Sequence, residues 1–232
     1  MPKKNHILLL IFIAVGLLLS GCNVFHNYMP VKDANSKVIY RNGIPLIIKE
    51  SKNILIQTSL QKDEKSKLYL YVSVLNKSYK EEDNIIFGVN NIQAHCIFSN
   101  VDLFETGEII SAKLFSYKEE IKRINRNKAW STAVNNTTYA LDSHLLSQYQ
   151  SSYGDSLQAE SNYDRKSDRI TNKAKDEKKH ISSGYLKTNT FTDKGQIISG
   201  VVRLKESYAK NYTITITIES DIFTFTFNKT DS

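Results

Sequence analysis

Tyr212-Thr-Ile-Thr-Ile-Thr-Ile218, Glu219-Ser220-Asp221, Ile222-Phe-Thr-Phe-Thr-Phe227: two strictly alternating runs flank a short polar break. A period of two puts Ile214, Ile216 and Ile218 on one face of a strand. It does the same for Phe223, Phe225 and Phe227 on the next, with threonine or another residue between. A helix would scatter both sets. Burying six such side chains is worth ~1.5–3 kcal/mol each, and an isolated hairpin is marginal in water. This hairpin must therefore lie against other apolar strands.

Those strands are found by working outward. Upstream, Tyr185 to Phe191 and Gln196 to Leu204 carry strand texture around a turn at Asp193-Lys194-Gly195. Four strands are too few to close a core, so the covering strands must come from the first half of the chain. There, Leu68-Tyr-Leu-Tyr-Val-Ser-Val-Leu75 is rich in aromatic and β-branched residues. It sets Leu68, Leu70, Val72 and Val74 on one face before Asn76-Lys77-Ser78 breaks it. Asn42-Gly43 between apolar runs predicts a tight reversal, since both residues accept positive φ. Ile85 to Phe87, Asn91 to Phe98 and Ile109 to Tyr117 supply further short strands. The expected architecture is mainly β: one antiparallel β-sandwich split between residues 37–117 and 183–230.

Between them the period changes. Ile121 and Ile124, then Val134, Thr138, Leu141 and Leu145, follow helical spacing, which predicts a helix from near Lys118 to near Gln148 with an interruption around Asn135-Asn136. Gln150 to Asp155 reads as a loop, and 156–180 as a solvated helix or a segment disordered when alone. Residues 118–182 are thus a helical insertion. Insertions in a rigid scaffold commonly carry binding, and the scarcity of apolar residues in 150–180 predicts that this part is dispensable for folding.

The N-terminus has a different texture. Lys3 and Lys4 precede thirteen residues, Ile7 to Leu19, without a polar side chain, followed by Leu19-Ser20-Gly21-Cys22. Thirteen helical residues reach ~20 Å, short of the ~30 Å hydrocarbon core, so the run suits a cleaved export signal rather than a span. The last four residues resemble the lipobox of bacterial lipoproteins. That resemblance implies a signal peptide over 1–21, cleavage between Gly21 and Cys22, and lipidation of the Cys22 thiol. Residues 22–36 then read as a tether. In Gram-negative lipoproteins an aspartate after the cysteine usually marks inner-membrane retention; Asn23 implies the outer membrane, facing the periplasm, if the source is of that kind. The Val74-Leu75-Asn76 step and the Tyr185-Leu186…Gly195…Gly200-Val201-Val202 pattern also resemble immunoglobulin-like domains of such lipoproteins. This resemblance implies an immunoglobulin-like sandwich over 37–230.

Charge and cysteines narrow the function. The formal charge of +7 falls to +5 once Lys3 and Lys4 leave with the signal. That mild balance suits contact with anionic lipid, glycan or protein and gives no footing for nucleic acid. With Cys22 lipidated, Cys96 has no intramolecular disulfide partner, and its apolar setting favours a buried structural role. His95 and Cys96 are strand neighbours on opposite faces, so they do not form a nucleophile–base pair.

No motif of an enzyme is present: no Gly-x-Ser-x-Gly, no His-Glu-x-x-His, no phosphate loop, no Cys-x-x-Cys. Neither a metal site nor a cofactor is expected, since no two of His26, His95, His144 and His180 share a helix face, and Asp63-Glu64 and Glu81-Glu82-Asp83 lack calcium-loop spacing. The candidate interaction surface is the cationic first helix, at Lys122, Arg123, Arg126 and Trp130. The competing reading is that Ile121 and Ile124 dock this helix on the sandwich and leave its cations merely solvated. Three function classes remain. The leading one is a lipid-anchored, non-enzymatic structural or adaptor module of the cell envelope with a protein partner. The alternatives are a ligand-binding carrier with an apolar pocket between sheets, and a hydrolase with an unmarked site.

Overall fold

A computed structural model describes residues 28–63, 65–78, 83, 85–98, 109–148, 153–205 and 209–230. Gly21, Cys22 and the first part of the expected tether lie outside the described residues. So do Glu64, Glu81 and Glu82.

The mainly β body is a sandwich of two antiparallel sheets with two helices inserted between strands. One sheet begins with a meander of β2 (Ser36–Arg41), β3 (Ile44–Glu50), β4 (Ile54–Lys62) and β5 (Leu68–Asn76). It is completed by β11 (Ile197–Leu204) and β9 (Leu114–Phe115). The other runs β1 (Tyr28–Pro30), β13 (Asp221–Lys229), β12 (Asn211–Ile218), β7 (Ile92–Ile97) and β8 (Ile109–Ser111). A small ladder pairs β6 (Ile86–Phe87) with β10 (Asn189–Thr190).

The alternating hairpin forms as its pattern requires. Tyr212 pairs with Phe227 and Ile218 with Asp221, and Ile214, Ile216, Ile218, Phe225 and Phe227 are fully buried. They meet Ile47, Ile54, Ile56, Leu70 and Val74 from the facing sheet, so the core is shared by both halves of the chain. Asn42 (φ 52) and Gly43 (φ 76) make the tight turn between β2 and β3, and Gly195 (φ 87) the turn before β11. Asn76 ends β5 and is buried; its Nδ2 donates to the Asp193 carbonyl at 2.8 Å and its own carbonyl accepts from Gly195 N–H at 2.7 Å.

Several expectations need correction. The stretch assigned to the tether includes Tyr28–Pro30, which pairs with the end of β13; Tyr28 is buried, and its hydroxyl donates to the Ala209 carbonyl at 2.8 Å. The strand expected over 109–117 is divided at Ala112-Lys113, sending β8 to one sheet and β9 to the other. Of the strand expected from Tyr185 to Phe191, Asn189–Thr190 alone is a ladder strand; Tyr185 makes an isolated parallel bridge to Val201.

The insertion is a helical hairpin of α1 (Tyr117–Gln148) and α2 (Tyr153–Gly184), 32 residues each. At ~1.5 Å per residue each helix is about 48 Å long. There is no break at Asn135-Asn136, and Tyr153, Gly154 and Asp155, expected in a loop, already belong to α2.

The chain returning from α2 packs tightly. A Cβ on Gly200 would stand 2.5 Å from the backbone of Leu186, and one on Gly88 would stand 2.6 Å from Thr188 Oγ1. Both glycines make room for that segment.

Candidate functional site

The arm is fixed to the sandwich at its root. Ser116 caps α1: its Oγ accepts the Glu119 N–H at 3.2 Å, while Glu119 Oε2 accepts the Ser116 N–H at 2.8 Å. This reciprocal box satisfies two otherwise orphaned donors, and the Ser116 N–H holds the Glu119 carboxyl below its ordinary range.

One residue later, Glu120 turns inward. It is the single buried charged side chain among the described residues. Arg203 Nε of β11 donates to its Oε1 at 2.7 Å and Arg123 Nε to its Oε2 at 2.8 Å. Arg203 also lies over the Phe115 ring at 3.8 Å, and Arg123 reaches Glu177 of α2 at 3.9 Å. The Glu120 carboxylate thus ties α1 to the sheet, and Arg123 extends the cluster to α2.

A second small core surrounds this cluster: Ile124, Ala174, Ile181 and Tyr185 are buried, with Tyr69, Tyr117, Ile121 and Val201 against them. Tyr69 and Tyr185 meet edge to face at 6.4 Å. Burial, then the Glu120 charge, pushes the Tyr185 phenol well above its ordinary value. The expectation that Ile121 and Ile124 dock α1 is met here.

Beyond the root the seam between the helices is mostly polar. Buried Asn135 donates from Nδ2 to Ser167 Oγ at 3.0 Å, and Tyr139 stacks on Tyr163 at 4.6 Å. The satisfied amide is why Asn135 does not interrupt the helix.

The four residues expected as an interaction surface therefore separate. Lys122 and Arg126 are exposed, and Trp130 is 72% exposed. Arg123 is instead held in the ion cluster, because the carboxylate one turn before it claims its guanidinium. Trp130 borders a groove of about 400 Å³ between the helices, with Asn127 and Ser131 on one wall and Arg169, Lys173 and Glu177 on the other. Val134 and Leu141, 48% and 59% exposed, continue the apolar side of α1 beyond Trp130.

A second concavity lies on the outer face of the six-stranded sheet. It encloses about 640 Å³ and is bordered by Arg41 and by His180 near the end of α2. Gln57, Ser59, Tyr71 and Ser199 face it from successive strands. Such a floor offers hydrogen bonds and one aromatic surface to an uncharged polar ligand or an extended chain.

The remaining chemical candidates are dispersed. Cys96 is buried facing the core while His95 is on the opposite face. Asp63 Oδ1 accepts the N–H groups of Lys65 and Lys67 at 2.9 and 2.8 Å, a turn-forming role. Among the described residues, no three His, Cys, Asp or Glu side chains converge as metal ligands would, and no helix is long and apolar enough to cross a membrane.

Sequence reasoning missed Glu120 and Arg203. Eighty-three residues separate them, and no local pattern links them. Sequence reasoning also passed over the capping box, although Ser116-x-x-Glu119 has its spacing. No family model, curated protein or solved structure matches the chain.

Proposed function

We propose that this chain is a lipid-anchored adaptor of the bacterial cell envelope, which binds a protein partner through its helical arm and does no chemistry of its own. The observation that carries the reading is the root of the arm. Glu120, clamped by Arg203 and Arg123, fixes α1 on the sheet, and the small core of Ile124, Ala174, Ile181 and Tyr185 holds α2 beside it, so that two 32-residue helices share one root. Burying a carboxylate costs several kcal/mol before its partners offset it. A surface loop has no need of such a fixture, whereas a rigid presenting element does. Lys122 and Arg126, exposed along α1, suit an acidic protein surface.

The lipid anchor rests on Leu19-Ser20-Gly21-Cys22 and the apolar run before it. On this reading the acylated Cys22 tethers the sandwich to the membrane, the outer one facing the periplasm if the source is Gram-negative. The carrier alternative has less support. Phe225, Phe227, Ile214, Ile216 and Leu70 occupy the space between the sheets where its apolar pocket would lie.

A photocrosslinking residue at Lys122, in intact source cells, tests the adaptor reading. A discrete adduct with a different protein, lost with Arg126→Glu, is expected; lipid adducts alone, or none, overturn it. The anchor is tested separately by fatty-acid labelling: incorporation is expected to vanish in Cys22→Ser, and equal label in both forms would overturn it.

A further inference from the structure

Trp130, Val134 and Leu141 stand four and then seven residues apart on α1. At ~100° per residue they fall within ~40° of arc, so they form one stripe along the side of the helix. Their exposures of 72%, 48% and 59% leave that stripe uncovered in the single chain. Beyond the root the seam of the helical hairpin is mostly polar, with Asn135–Ser167 and Tyr139–Tyr163 at its middle. An uncovered apolar stripe on α1 is a surface along which a further helix can pack.

Charge identifies the other half. In Tyr117–Ala129 bases outnumber acids five to two, and in Arg169–Gly184 again five to two. From Trp130 to Asp168 the balance reverses, with five acids to two bases. The arm is therefore positive at its root and negative toward its tip, and the apolar stripe straddles the middle of α1. A flat anionic membrane would attract one end and repel the other. A second copy laid antiparallel places each root against the other's tip and covers both stripes.

We infer that the arm is a homodimerisation element, pairing antiparallel with the arm of a second copy about a twofold axis near Val134. The contact is isologous, so the same patch serves both chains and the assembly closes at two. This goes beyond the adaptor reading and does not depend on it, because the partner named is the chain itself.

The experiment is disulfide trapping of full-length Val134→Cys in intact source cells, with Ser220→Cys on the exposed β12–β13 turn as the collision control. On the axis, residue 134 meets its own copy, so Val134→Cys is expected to give a covalent dimer several-fold above the control. Adding Trp130→Asp, an exposed change that spares the fold, is expected to abolish the excess. Raising salt from ~0.1 to ~0.5 M is expected to lower it, because the root–tip attraction is screened. A Val134→Cys yield no higher than the control overturns the proposal. So does a dimer indifferent to Trp130→Asp, which would use another face. A yield that rises with salt also overturns it, because that is the response of parallel arms with like charges opposed.

Discussion

Thr58 shows how much one atom matters in this core. It faces inward from β4, fully buried, and its Oγ1 has no hydrogen-bond partner. Thr58→Val keeps the shape and the β-branching while removing the stranded hydroxyl, so it should stabilise the fold by about 1 kcal/mol. A urea midpoint that rises at unchanged slope is the expected result. Glu119 makes the opposite kind of contribution, one that depends on pH. Its folded pKa is depressed, chiefly by the Ser116 N–H. Its stabilisation is therefore complete above the ordinary carboxylate value of ~4.3 and is lost as pH falls through the lower folded value. Melting curves from pH ~6 to ~3 should fall more steeply for the wild type than for Glu119→Gln; parallel curves would contradict this. Alternating residues such as Phe225 were legible in the sequence because their neighbours share their period. Glu120 was not, because its environment comes from a strand 83 residues away.

At the level of elements, the strands that could be read were those with several residues facing one core. β12 and β13 satisfy that rule, and the Asn42-Gly43 turn adds its own backbone chemistry. β1, β9 and β10, two or three residues each, hold too few residues to show a period. They exist because neighbouring strands offer them partners. The insertion was legible as helical but not as a two-helix arm, since α2 carries so few apolar residues that its seam looks like a solvated face. That scarcity also suggested that all of 150–180 is dispensable. Ala174, however, lies buried against Ile124. Replacing 150–180 should therefore destabilise the root. A shorter excision, with 140–160 replaced by a Gly/Ser link, spares Ile124, Ala174 and the Asn135–Ser167 contact. It should leave the main thermal transition within a degree or two of wild type, as followed by near-UV circular dichroism.

For the whole molecule, the decisive fact is that neither half owns the core. β11 is paired along its length with β5, and β12 with both β13 and β7. Removing 205–232 strips Ile214, Ile216, Phe225 and Phe227 from between the sheets, a loss comparable with a typical net stability of ~5–15 kcal/mol. The truncated chain should show no cooperative melt. A transition at the wild-type temperature would mean that the earlier strands close a core without the hairpin. The division into two distant halves was legible because the period-two pattern stops near residue 117 and resumes after 184. Which sheet each strand joins was not, because alternation fixes a strand's faces and not its neighbours.

The helical root has a kinetic consequence as well. Tyr117 and Tyr185 share one small core although 67 residues lie between them. If the hairpin forms first, from contacts largely local to itself, it draws those ends together before any strand has crossed from one half to the other. Relative to closing the same span as a loose chain, the logarithmic entropy law saves about 2 kcal/mol. The arm would then act as an internal clip that accelerates folding. Weakening the clip with Ile124→Ala should slow refolding in stopped-flow experiments more than it speeds unfolding, whereas a change at Phe225 should act mainly on the unfolding limb.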